Sequence, residues 1–345
     1  MYKAFLVDKD LIAKDVHFSD GCKPCHKGNE DGETRESAHQ GMTKQPSNDL
    51  SVCGKCHDEI VQYYKTSLHD TTAGQQHGVK ARFNSKEFAA FNQKVFEKSC
   101  RSCHASCGDC HVKSPSIGGI STGLIKGHQF VKRDEGKTCG ACHGGRVYPE
   151  YTGDYGGTAD VHYEKGMLCL DCHKKQELHG DGTSYQGRKE IRERPSCTQC
   201  HPRGAEKTDV AKTAHAQHET KLSCYACHSG GDYRNCSDCH LGKGASAKPG
   251  FMLGINPRDK KTVTTLRMVP TVRDTFQVAG ITMSNYDALS NYWDTAPHNI
   301  KKRTDRTRSC KVCHEEHKNF LIKSMLLKNG SQANDDLIFQ FKLKP

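Results

Sequence analysis

Apolar positions keep a regular period along this chain in only a few places. Over 85–98 they fall on one helical face at Phe88, Phe91 and Val95, the spacing that turns a stripe of a 3.6-residue helix inward. Asn84 precedes them as an N-cap, with Glu87 placed to complete a capping box. The pattern predicts a helix over 85–98, its phenylalanines packed on porphyrin faces. Late in the chain, 262–269 and 276–283 are β-like, with Pro270 and Gly280 as breaks, and 337–343 alternates as a further strand candidate. The sequence Asp-Val-His-aromatic-x-x-Gly occurs at 15–21 and again at 160–166. It reads as a short extended segment ending in histidine, then a glycine turn. Elsewhere neither period persists, which predicts a mostly irregular chain with short helices and few short strands. No run of eighteen apolar residues could form a membrane-spanning helix, and residues 1–15 lack the layout of a signal peptide.

Composition sharpens this reading. Apolar residues make up 34% of the chain, and twenty of them are cysteines. The remainder is too little to build an ordinary side-chain core for 345 residues. All twenty cysteines fall in ten Cys-x-x-Cys pairs, each followed at once by histidine. The first five are Cys22, Cys25, His26; Cys53, Cys56, His57; Cys100, Cys103, His104; Cys107, Cys110, His111; and Cys139, Cys142, His143. The others are Cys169, Cys172, His173; Cys197, Cys200, His201; Cys224, Cys227, His228; Cys236, Cys239, His240; and Cys310, Cys313, His314.

Two thiols one helical turn apart can add to the two vinyl groups of a porphyrin while the adjacent histidine binds its iron. Four-cysteine zinc sites or disulfides would use the same pairs but leave the histidines unexplained. With 21 histidines in 345 residues, their chance placement after all ten pairs is on the order of 10⁻¹². The pattern therefore predicts ten haem c groups, which would supply most of the interior of a haem-packed fold. Because thioether attachment is completed outside the bacterial cytoplasm, it also predicts an exported protein.

Ten motif histidines leave eleven others: His17, His39, His69, His77, His128, His162, His179, His215, His218, His298 and His317. Supply nearly equals the ten sixth positions to be filled, so these are the candidate distal ligands. His317 is the candidate surplus, since it lies three residues beyond His314. His215 and His218 would serve two adjacent irons, the motifs at 224 and 236 following closely. The seven methionines hold no recurrent place relative to the motifs. Iron ligated by histidine throughout would be six-coordinate, low in spin and low in potential.

Charge and spacing complete the picture. The formal charge of +11 could suggest a nucleic-acid partner, but ten ferric haems with two propionates each would bring it to about +1, and no nucleic-acid-binding pattern accompanies it. Nine motifs lie within 1–240 and one within 241–345, which predicts a nine-haem region followed by a haem-poor segment with small β content. The stretch 241–250 reads as a linker or a loop crossing the surface. Only Ala105 and Ser106 separate the third and fourth motifs, so neighbouring groups must be close.

The block from Cys100 through Cys142 and the later ADVHYEKGMLCLDCH at 159–173 resemble the multihaem cytochromes c of metal-reducing and sulfur-metabolising bacteria. The resemblance implies electron transfer through closely spaced haems. Its filament-forming members imply an extracellular or cell-surface polymer, in which a subunit's arm gives a distal histidine to the next. Here 2–18 and 337–343 are the segments a neighbour could bury, with His17 as the exchanged ligand. The implied partners are copies of the same chain, redox partner cytochromes or extracellular electron acceptors. Two alternatives stand beside this: a monomeric periplasmic or outer-membrane conduit, and a reductase of nitrite, hydroxylamine or a sulfur oxyanion. Enzymatic activity is not expected, since no motif ends in the lysine that some such reductases use.

Overall fold

The computed structural model describes residues 9–113, 116–117, 120–121, 128–130, 136–154, 157–231, 233, 250–269 and 271–341. The chain is mostly irregular, with short helices and small antiparallel pairings of strands. Its longest described helix, Asp209–His218, has ten residues. Such short helices are marginal alone, and capping side chains bind their first turns. Thr34, Asp49, Ser67, Asn84, Asp160 and Thr208 each accept a backbone N–H at a helix start. Among the described residues no helix is long and apolar enough to cross a membrane.

The described chain divides into two compact units, each discontinuous in sequence. The first comprises Met1–Ala73, Cys103–Thr138 and Lys174–Glu193. Two short antiparallel strand pairs lie within it. Strand β1 (Val112–Lys113) pairs with β4 (Gln129–Phe130), and β2 (Ser116–Ile117) pairs with β3 (Ile120–Ser121). Its buried apolar side chains among the described residues are Val61 and Tyr64, both on helix Asp58–Tyr64. The Tyr64 hydroxyl donates to the Ala105 carbonyl. Gly180, at φ +85°, follows helix Lys175–His179, and a Cβ there would meet the Tyr63 carbonyl oxygen at 2.4 Å. Both the turn and the close approach require glycine.

The second unit comprises Gly74–Ser102, Cys139–His173 and Arg194–Pro345. It holds the antiparallel sheet β5 (Met252–Ile255), β6 (Val263–Met268) and β7 (Tyr292–Asp294), in that order. Leu253 and Leu266 on this sheet are fully buried. The helix expected over 85–98 begins as its sequence dictates: Glu87 N–H donates to Asn84 Oδ1, and Asn84 N–H to Glu87 Oε2. It runs as an α-helix over Ser85–Phe91 and then widens into a π turn, Asn92–Phe96. Its phenylalanine stripe packs on protein. The rings of Phe83 and Phe276 each lie 5.1 Å from Phe91, in a cluster with Phe96, Ile281, Met283 and Tyr286. Beside this cluster Arg82 is 1% exposed. Its guanidinium donates to the carbonyls of Tyr286 and Ser290 and lies over the Tyr286 ring.

Three sequence expectations are corrected. The 276–283 segment is no strand; it forms a 3-10 turn, Gln277–Ala279, because Phe276, Ile281 and Met283 all serve the aromatic cluster. In 337–343, Leu337 closes a 3-10 helix, Gln332–Leu337, and the chain to Phe341 forms no strand, its phenylalanines packing on Phe320. Residues 342 and 343 lie outside the described ones. Neither Asp-Val-His segment is extended: they form helical turns, Val16–Phe18 and Val161–Glu164, each begun by its aspartate as N-cap. The glycine turns do follow, Gly21 at φ +74° and Gly166 at φ +79°. The expected linker at 241–249 lies outside the described residues.

Candidate cofactor-binding sites

Most of the described motifs lie on one helical turn, which sets two thiols three residues apart on the same face. Cys107–His111, Cys169–Cys172 and Cys224–His228 are α-helical, and Cys100–Cys103 and Cys197–Gln199 are 3-10 turns. The ninth motif, Cys236, Cys239 and His240, lies outside the described residues. Cysteine is ordinarily among the most buried residue types, yet here nine of seventeen described cysteines are exposed. Sulfurs of different motifs also approach one another. In the first unit Cys53 donates to Cys107, which pulls the Cys107 thiol down to about 7, while Cys53 is pushed up. In the second, Cys197 does the same to Cys224, taking it to about 6. Burial and the neighbouring Cys313 push Cys227 up.

The histidines form pairs. In the first unit His17 lies 6.3 Å from His57, His128 lies 5.7 Å from His26 and His179 lies 5.9 Å from His111, between ring centroids. In the second, His162 lies 6.0 Å from His201, His298 6.3 Å from His173, His215 6.1 Å from His228 and His218 5.9 Å from His314. Every one of these pairs joins a motif histidine to a non-motif histidine, and none of the fourteen residues occurs twice. Metal–imidazole bonds of about 2 Å place trans nitrogens about 4 Å apart and ring centroids about 6 Å apart. All seven pairs match that separation. The Nε2 atoms of His26 and His128 face each other at 3.5 Å, about half an ångström closer than an intervening iron requires.

In seven of these fourteen residues a hydrogen bond to the other ring nitrogen fixes how the ring is presented. Nδ1–H of His26 donates to the Thr43 carbonyl at 2.9 Å and that of His228 to Lys301 at 3.0 Å. Nδ1–H of His218 donates to the Ala214 carbonyl at 2.7 Å and that of His298 to Ala296 at 3.1 Å. His17, His162 and His215 instead donate to carboxylates: Asp15 at 2.7 Å, Asp160 at 2.8 Å and Glu206 at 2.6 Å. In His128 and His179 Nδ1 is buried without a hydrogen-bond partner among the described residues, and burial lowers the affinity of both rings for a proton.

His317 differs from all of these. Its Nε2–H donates to the His314 carbonyl at 3.0 Å, and its ring stacks on Phe341 with centroids 3.6 Å apart. His39 has the presentation of a ligand, Nδ1–H on the Arg35 carbonyl at 2.6 Å, but like His77 it faces no other ring among the described residues. His104 donates from Nδ1 to the Asp70 carbonyl at 2.8 Å, and His69 lies near His179. His215 faces the motif at 224, as its spacing suggested, whereas His218 faces the motif at 310.

Sequence reasoning named the histidines but gave no role to Asp15, Asp160 or Glu206. For the aspartates a signal existed, since both stand two residues before the histidine in the repeat. Glu206 lies nine residues from His215 and offered none. Comparison of the chain with protein-family models, with curated proteins and with solved structures finds no match.

Proposed function

We propose that the chain is an electron-transfer protein carrying haem c at its ten Cys-x-x-Cys-His motifs. The observation that carries this reading is the set of seven histidine pairs at the spacing of two imidazoles on one iron. The cysteines of each motif would hold the porphyrin through thioethers. His26, His57, His111, His173, His201, His228 and His314 would bind iron on one side. His128, His17, His179, His298, His162, His215 and His218, in the same order, would bind it on the other. When bound, haem supplies a reversible one-electron iron couple. At these seven sites the two histidines would both be taken up by the iron, which would favour outer-sphere transfer over capture of a small substrate. They also set neighbouring motifs side by side, Cys53 with Cys107 and Cys197 with Cys224.

A pyridine haemochrome assay on the purified protein tests the reading. It should give ten haems per chain with low-spin visible spectra; fewer than about nine, or bound zinc in their place, would overturn it.

A filament is the second reading, and the N-terminal segment favours it. Helix Lys9–Lys14 buries no residue and Val16 is 76% exposed, surface that a second copy could cover. His17, by contrast, pairs within its own chain, so it would have to leave His57 to serve a neighbour. Sedimentation of the native protein should show large species that deletion of residues 1–14 abolishes; a full-length protein sedimenting as single chains would reject this reading.

A further inference from the structure

The seven pairs are not chemically equal, because the hydrogen bond behind the non-motif histidine differs in charge. Nδ1–H of His17, His162 and His215 meets a carboxylate, that of His218 and His298 a neutral carbonyl, and Nδ1 of His128 and His179 no partner among the described residues. The carboxylates are themselves held. Asp160 is 2% exposed and its Oδ2 accepts the Ile300 N–H, while Asp15 and Asp160 each also accept the backbone N–H of the histidine they hold.

We infer that Asp15, Asp160 and Glu206 create a low-potential class of iron sites at the pairs His17–His57, His162–His201 and His215–His228. The inference rests on the proposed haem ligation. A negatively charged acceptor on Nδ1–H draws the proton away and makes Nε2 a stronger donor, which favours ferric over ferrous iron. A carbonyl does the same more weakly, since a bond to an ion is roughly twice as strong as one between neutral groups. An unbonded Nδ1 gives no such push. The expected order of potentials is therefore carboxylate sites lowest, carbonyl sites intermediate, and the pairs His128–His26 and His179–His111 highest. Electrons entering this chain would settle first on the last two.

The test is a potentiometric titration of the haem-loaded protein, comparing Glu206→Gln and Asp15→Asn with Asp209→Asn. The two amides keep an oxygen that can accept Nδ1–H and lose only the charge. Asp209 lies on the helix that carries His215, its side chain is 98% exposed and it touches no histidine. In Glu206→Gln and in Asp15→Asn the amplitude of one haem should leave the low-potential end and reappear at higher potential, with haem content and low-spin spectra unchanged. Asp209→Asn should leave the curve in place. Equal shifts in Glu206→Gln and Asp209→Asn would reduce the effect to general charge and overturn the inference. So would unchanged potentials in all three with ten low-spin haems present, an outcome that spares the ligation itself. A wild-type protein carrying fewer than about nine haems would instead defeat the functional proposal.

Discussion

His317 and His298 stand equally far from a motif in function until the nitrogen each commits is compared. His317 spends Nε2 on the His314 carbonyl, whereas His298 spends Nδ1 on Ala296 and lies 6.3 Å from His173. His298→Ala should therefore convert one iron of the loaded protein from low to high spin, read by electron paramagnetic resonance, and His317→Ala should convert none. The reverse result would exchange their roles. Arg82 gives a prediction about stability alone. Its buried guanidinium supplies the carbonyls of Tyr286 and Ser290, the latter shared with Trp293 Nε1–H, so Arg82→Met should destabilise the protein by about 3 kcal/mol in denaturant unfolding. A loss below about 1 kcal/mol would show that those carbonyls find other donors. At this scale the sequence was most legible where chemistry fixes spacing, as in the ten motifs. Apart from His215 with the motif at 224, it was silent on pairing, because most partners lie far apart along the chain, His26 and His128 by 102 residues.

At the scale of elements, local rules worked where a single segment decides its own form. The capping box of Asn84 and Glu87 and the strand around 263–268 were readable because backbone bonding and side-chain pattern agree there. Asn84→Ala should cost about 1 kcal/mol in unfolding free energy without altering haem content; an unchanged midpoint would mean that the aromatic cluster alone holds this helix. Where packing overrides pattern the reading failed. The apolar residues of 276–283 alternate like a strand, but Phe276 turns to Phe83 and Phe91 and the backbone follows as a 3-10 turn. The Asp-Val-His segments were misread as extended because an aspartate N-cap acts through one side chain, which no periodicity registers.

At the scale of the whole molecule the question is what fills the interior. The three apolar clusters all belong to the second unit, and in the first the described buried apolar side chains are Val61 and Tyr64. A chain so poor in apolar burial needs another source of it to offset conformational entropy, and in the proposed reading the porphyrins supply it. Net charge follows from the same proposal. The oxidised loaded protein should focus well below the pI of 8.8 expected of the polypeptide, since propionates would cancel most of the +11. Focusing near 8.8 would mean that the acidic groups are missing. The most direct test of the central claim is a Mössbauer spectrum of the oxidised protein grown on iron-57, with iron counted per chain. It should show ten irons, at least seven of them low-spin ferric, one for each histidine pair described. Fewer than seven low-spin irons, or a spectrum dominated by high-spin iron, would contradict the account.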